Sequence, residues 1–218
     1  MAWAVRGRSS SVFAPSVWRG PRGRKSIALT FDDGPSEGTG RVLELLARYG
    51  IAATFFQCGA NVGRLPEVAR AVAQAGHEIG NHSHAHPLYC GLSPQAIRAD
   101  LERAQLTIQA VTGARPKWFR APFGVRWFGL REAQRRLGLG GVMWTVIGYD
   151  WSLTPEKVAG RIAGKAAEGS IVCLHDGREL RPQPDIGVTL EALQQVIPAL
   201  QDRGYGFETI SRLLCPTS

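Results

Sequence analysis

The sequence predicts an α/β fold on a parallel sheet, either a barrel or an open doubly wound sheet, in a single domain. Three observations carry that expectation. Short apolar runs alternate with longer amphipathic stretches along the chain, the pattern of successive βα units. The apolar runs are continuous rather than interleaved with polar residues, as strands buried on both faces require. About seven such units fill the 218 residues, and no second-domain linker, internal repeat or low-complexity tract interrupts them.

Taken in order, the segment 1–25 carries a basic cluster, Arg19, Arg22, Arg24 and Lys25, and reads as an N-terminal extension lying over a barrel domain of residues 26–218. Strands are expected at 27–31 (Ile-Ala-Leu-Thr-Phe), 53–58 (Ala-Thr-Phe-Phe-Gln-Cys), 77–82, 117–121, 142–147 (Val-Met-Trp-Thr-Val-Ile), 170–175 (Ser-Ile-Val-Cys-Leu-His) and 206–210. Helices are expected between them at 39–49, 66–75, 94–112, 127–137, 155–167 and 189–203. Ser93 before Pro94 and Thr154 before Pro155 fit N-caps with proline in the first turn. Gly50, Gly76 and Gly113 fit helix stops.

Composition bounds the function. With 44% apolar and 20% charged residues the chain has an ordinary globular make-up, and no apolar run reaches the roughly 18 residues of a membrane-spanning helix. The N-terminus lacks the ~7–15-residue apolar stretch of a secretory signal, so the chain is expected to be cytoplasmic as it stands and exported if a leader has been removed. Cys58, Cys90, Cys173 and Cys215 lie far apart with no CxxC pair, which argues for free thiols. The net charge is +8, but the arginines are scattered and no recognition or stacking motif accompanies them, so nucleic acid is not expected as a partner. The basic extension leaves an anionic membrane surface open.

The unusual polar residues fall at the C-terminal ends of the expected strands, the edge on which α/β barrels build active sites. Asp32-Asp33 ends the first strand and His82 to His86 follows the third. Arg120-Ala-Pro-Phe-Gly follows the fourth, Asp150-Trp151 the fifth, and Leu174-His175-Asp176 ends the sixth. His82-Ser-His-Ala-His86 places three of the chain's five histidines in five residues. On a helical turn His82 and His86 share one face and present two imidazoles to one divalent ion; His84 competes on spacing alone. Adjacent strand residues point different ways, so one carboxylate of Asp32-Asp33 can bind the ion while the other faces its water. Gly34-Pro35 then turns the chain. Two imidazoles and a carboxylate suit zinc, iron or cobalt.

Together, Thr30-Phe-Asp-Asp-Gly-Pro35, His82-Ser-x-x-His86, Arg120-Ala-Pro-Phe123, Asp150-Trp151 and Leu174-His175 resemble, in order, the five motifs of the polysaccharide deacetylases, carbohydrate esterase family 4. The resemblance spans about 27–210 and implies a distorted (β/α) barrel of about seven parallel strands. It implies Asp32 as general base, Asp33, His82 and His86 as metal ligands, Arg120 holding the base, and His175 as general acid. It implies a backbone oxyanion contact near Phe123, where tyrosine is usual, and apolar walls from Trp151 and Leu174 around the acetyl methyl.

Many members carry a further aspartate in the fourth motif where this chain has Ile147, so the support of His175 falls to Asp150 or another acid. The implied activity is metal-dependent removal of N-acetyl groups from N-acetylglucosamine-containing saccharides, with zinc first among the metals and cobalt, nickel or iron behind it. The substrate is then an amino-sugar oligomer, a wall polymer or a lipid-linked sugar, handled by a monomer. Relatives sharing these motifs remove formyl groups, cleave acetyl esters or open cyclic ureides, and a silent sugar-binding barrel is the alternative of a different class.

Overall fold

The computed structural model describes residues 2–215. In chain order these form α1 (Ala2–Arg6), β1 (Ser26–Gly34), α2 (Thr39–Arg48), β2 (Thr54–Gln57), α3 (Gly59–Arg64), α4 (Pro66–Gln74) and β3 (Glu78–Asn81). There follow α5 (Pro94–Thr112), β4 (Trp118–Phe119), α6 (Leu130–Leu137), β5 (Gly140–Gly141), β6 (Val146–Ile147), α7 (Pro155–Lys165), β7 (Ile171–His175), α8 (Gly187–Asp202), β8 (Gly206–Phe207) and α9 (Ile210–Leu214). No helix among the described residues is long and apolar enough to cross a membrane.

The strands form one parallel sheet in the order β5-β4-β3-β2-β1-β7-β6, with β8 beside the start of β1. Its two edge strands belong to one extended segment. Val142 N–H donates to Phe119 O (2.8 Å) on the β4 side, while Thr145 N–H donates to Ile171 O (2.8 Å) and Gly148 N–H to Cys173 O (2.9 Å) on the β7 side. The chain thereby joins the sheet's edges itself, and the sheet curls into a distorted barrel. Where this segment changes partner, Val17 fills the gap, donating to Gly141 O (2.9 Å) and accepting from Met143 N–H (2.7 Å).

All nine residues of β1 are buried. Ile27, Leu29 and Phe31 pack into the main apolar cluster, with residues of α2, α7 and α8. Ala28 belongs to a separate cluster with Phe56 and Val142, and Thr30 and Asp32 accept hydrogen bonds from Arg120. The period of two along the strand separates a helix-facing side from a barrel-facing side.

The expected elements recur with trimmed ends and two differences. Of the strand expected at 142–147 only the end is regular, as β6, and β5 falls just before it, because Met143 between them pairs with Val17 rather than with a sheet edge; the main path holds seven parallel strands, as expected, with β8 beside it. The short helices α1, α3 and α9 have no periodic signal in the sequence, because five or six residues are too few to display a 3.6-residue period, and α3 contains two glycines. Ser93 caps α5 as expected, accepting from Ala96 N–H (3.2 Å). Thr154 occupies the cap position of α7 without a side-chain hydrogen bond.

Phe31 stacks on Phe55 at 4.9 Å between centroids, and both rings are fully buried. Phe31→Ala should cost about 3–5 kcal/mol of stability, read as a lower urea midpoint with an unchanged slope.

Candidate functional site

A cavity of about 870 Å³ opens at the C-terminal ends of the strands. Asp32, Asp33, His82, His86, Cys173 and His175 face it, flanked by Phe123, Trp144, Ile147, Tyr149 and Trp151.

Asp33 Oδ1 lies 3.2 Å from His82 Nε2 and 3.0 Å from His86 Nε2, and all three side chains are almost fully buried. His82 and Asp33 are each aimed by their other polar atom, whereas His86 Nδ1 is buried without a partner. His82 Nδ1–H donates to Arg120 O (2.8 Å), which fixes the ring with Nε2 toward Asp33. The second oxygen of Asp33 accepts from Glu179 N–H (2.8 Å), and its carbonyl accepts from Asn61 Nδ2 (2.7 Å). Burial opposes the charge on Asp33, but the hydrogen bonds from His82 and His86 outweigh it and hold the carboxyl well below its usual range. Burial likewise opposes the charged form of His82, and the Asp32 and Asp33 charges raise it overall. Two imidazoles and a carboxylate converging on one point suit a tetrahedral divalent cation with an open position.

The loop that presents the histidines is not the helical turn the spacing suggested. Residues 82–86 are irregular, with Ser83 (φ 68°) and His86 (φ 51°) in the left-handed region. Ser83 Oγ accepts from His86 N–H (2.9 Å), and Asp100 accepts the backbone N–H groups of His84 (3.1 Å) and Ala85 (3.0 Å). These bonds bring His82 and His86 together and turn His84 aside, outside the ligand group.

Asp32 is held by a buried ion pair. Arg120 Nη1 donates to Asp32 Oδ1 and to Thr30 Oγ1, both at 2.7 Å, and Nη2 donates to Met143 O (3.2 Å). The guanidinium lies 4.2 Å over the Phe56 ring. Asp32 Oδ2 is left toward the cavity, where the Cys173 thiol donates to it at 3.4 Å.

His175 closes the other side. Its Nδ1–H donates to Asp150 Oδ1 (2.9 Å), and its backbone N–H donates to Asp150 Oδ2 (2.9 Å). Thr189 Oγ1 donates to the same oxygen (2.7 Å). Burial pushes the His175 imidazole down, but the charge and hydrogen bond of Asp150 more than restore it and leave it raised. Asp150 therefore stands where the absence of an acid at Ile147 had left a question, and Ile147 lines the wall.

Phe123 adopts φ 57°, presents its ring edge to His86 at 4.7 Å, and accepts at its carbonyl from Arg6 Nε (3.2 Å) and Nη2 (3.0 Å). Trp151 is half exposed and meets the His175 ring edge-on at 5.0 Å. Leu174 departs from expectation: it is fully buried in the main apolar cluster and does not line the cavity. Strand alternation puts residues 173 and 175 on one face of β7, so Cys173 takes the place expected for Leu174. The same period-two rule, counted back from His175, places Cys173 on the cavity side of the strand.

Two glycines permit the close packing here. A Cβ at Gly34 would collide with Asp176 Oδ2, and one at Gly177 with the Asp33 carbonyl. Asp176 itself is buried, with Oδ2 accepting from Thr39 Oγ1 (2.6 Å), and burial pushes its carboxyl up to about 7.

The family model described as polysaccharide deacetylase matches residues 19–142. A chitooligosaccharide deacetylase of Bradyrhizobium sp. (strain ANU 289) is 32% identical over 88% of this chain and 91% of its own. A peptidoglycan-N-acetylglucosamine deacetylase of Bacillus cereus is 34% identical over 91% of this chain and 92% of its own. Among solved structures, a carbohydrate esterase family 4 pseudoenzyme from Bacillus anthracis superposes with a TM-score of 0.84 at 30% identity, covering 92% of this chain and 71% of its own.

Asp150→Asn should lower the pKa of His175, because it removes the charge that offsets burial. Imidazole proton chemical shifts followed against pH will show this, and an unmoved titration would exclude Asp150 as the source of the shift.

Proposed function

The chain belongs to the polysaccharide deacetylase family, and from that membership we propose that it hydrolyses the N-acetyl groups of N-acetylglucosamine-containing saccharides with a divalent metal. The observation that carries the reading is the convergence of Asp33, His82 and His86 beside Asp32 and His175 in one cavity. Asp33, His82 and His86 would hold the metal. Zinc is the ion of choice, since two imidazoles and one carboxylate form one of its usual hydrolytic sets. When bound, it supplies a Lewis acid that polarises the acetyl carbonyl and acidifies the attacking water.

The chain's own groups do the rest. Asp32 Oδ2 faces the cavity and takes the water's proton as the water adds to the carbonyl carbon. Arg120, bonded to Oδ1 at 2.7 Å, fixes the direction of Asp32. The backbone beside Phe123 donates to the oxyanion of the tetrahedral intermediate. His175 Nε2, whose ring is aimed by Asp150 through Nδ1, gives a proton to the departing amine, without which nitrogen leaves poorly. Trp151, Ile147 and Cys173 wall the acetyl methyl. All these groups come from one chain, so a monomer suffices, and the substrates we infer are chitooligosaccharides or wall-type amino-sugar polymers.

The decisive assay is acetate release from N-acetylglucosamine oligomers by chelator-stripped protein resupplied with zinc, cobalt or nickel. Metal-dependent release is expected; tight stoichiometric metal binding without release would favour the silent sugar-binding barrel. Asp32→Asn should retain metal and fold while turnover drops by roughly 10²–10⁴. His82→Ala should lose the metal as well, and equal metal content in the two variants would sink the division of roles. Because His175 acts in its protonated form and its pKa is raised, activity should fall as pH rises through that value. Asp150→Asn should shift this alkaline limb of the kcat/KM profile to lower pH.

A further inference from the structure

The cavity contains a second group of potential metal donors. Asp32, Cys173 and His175 each offer one donor atom, and these atoms lie within 4.8 Å of one another. Their other polar atoms are committed elsewhere: Asp32 Oδ1 to Arg120, His175 Nδ1 to Asp150. Asp32 Oδ2, Cys173 Sγ and His175 Nε2 are what remain toward the cavity. Such outer partners orient donors in metal sites, and a thiolate, an imidazole and a carboxylate form a softer set than that of Asp33, His82 and His86.

We propose that Asp32, Cys173 and His175 form a second site for a thiophilic divalent cation such as zinc or cadmium, and that filling it inhibits the enzyme. A cation there occupies the proposed base and the proposed acid at once. This inhibitory consequence rests on the catalytic reading above; the binding site itself does not. The cation displaces the thiol proton of Cys173 to solvent. Because filling this site displaces a thiol proton, which the site of Asp33, His82 and His86 does not require, it fills after the first.

Cobalt reports thiolate ligation directly through its near-ultraviolet sulfur-to-metal charge transfer. The exposed thiols are first removed as Cys90→Ser and Cys215→Ser, while Cys58 is fully buried and does not line the cavity. Chelator-stripped protein is then titrated with cobalt. The first equivalent should give ligand-field bands alone, and the second should bring the charge-transfer band. Adding Cys173→Ser should abolish both that band and the second equivalent. Charge transfer on the first equivalent, none at excess cobalt, or an unchanged band in Cys173→Ser would each overturn the site. If Cys173→Ser fails to fold, the order of bands in the parent protein still decides.

With zinc, acetate release should rise to one equivalent and then fall by roughly 10²-fold, the scale of acid–base catalysis. Cys173→Ser, normalised to its own rate at one equivalent, should escape the fall, and inhibition persisting there would overturn the inhibitory role. Should the protein release no acetate at any loading, the catalytic reading fails while the cobalt titration still tests the site.

Discussion

The guanidinium of Arg120 is the constraint on which the site depends. It is fully buried inside the barrel, where an unpaired charge would be prohibitively costly. Its two terminal nitrogens and its face are therefore met, though Nε has no hydrogen-bond partner, and the partners come from separate elements: Asp32 and Thr30 on β1, Met143 O in the closing segment, and the Phe56 face on β2. The Arg120 carbonyl meanwhile accepts from His82 Nδ1 and aims that ring at Asp33. One residue thus couples barrel closure, the direction of Asp32 and the orientation of a metal ligand. Removing it would leave Asp32 buried and unpaired as well, so loss of function and loss of stability are linked at this point.

Backbone strain is concentrated around the same cavity. Among the described residues, the non-glycine residues with positive φ are Asp33, Ser83, His86, Phe123, Tyr149 and Glu179. Five of these line the cavity, and Ser83 sits between its histidines. Each such residue costs of order 1–3 kcal/mol and persists where surrounding contacts over-determine it. Those contacts are visible: Ser83 Oγ on His86 N–H, Asp33 Oδ2 on Glu179 N–H, Arg6 on Phe123 O. The parallel sheet provides the rigid frame, and the loops at its C-terminal edge are bent to bring donors together that strand geometry alone would leave apart.

The N-terminal segment takes part in this frame. Arg126, buried in the loop after Phe123, donates to Ser10 O (2.6 Å) and to Gly7 O, and Thr145 Oγ1 donates to Trp18 O (2.7 Å). These contacts fasten residues 7–18 to the closing segment and to the Phe123 loop, while Arg6 reaches the cavity rim. Nothing in the composition of this basic stretch announced such contacts, because they are made largely to backbone carbonyls, which every residue carries.

What the sequence by itself determined was the parallel α/β class, the approximate place of most long elements, and the set of residues at the strand ends. These follow from local rules: apolar continuity, helical period, capping, and the concentration of His, Asp and Arg at one edge. The tertiary structure alone decided which of them meet. It alone replaced the helical turn at 82–86 by a strained loop held by Asp100, and assigned the support of His175 to Asp150 rather than to position 147. It alone split the closing strand between two edges and sealed the gap with Val17. Each of these outcomes depends on atoms far apart in the chain brought within hydrogen-bond range, and periodicity along a sequence carries no record of distance across a barrel.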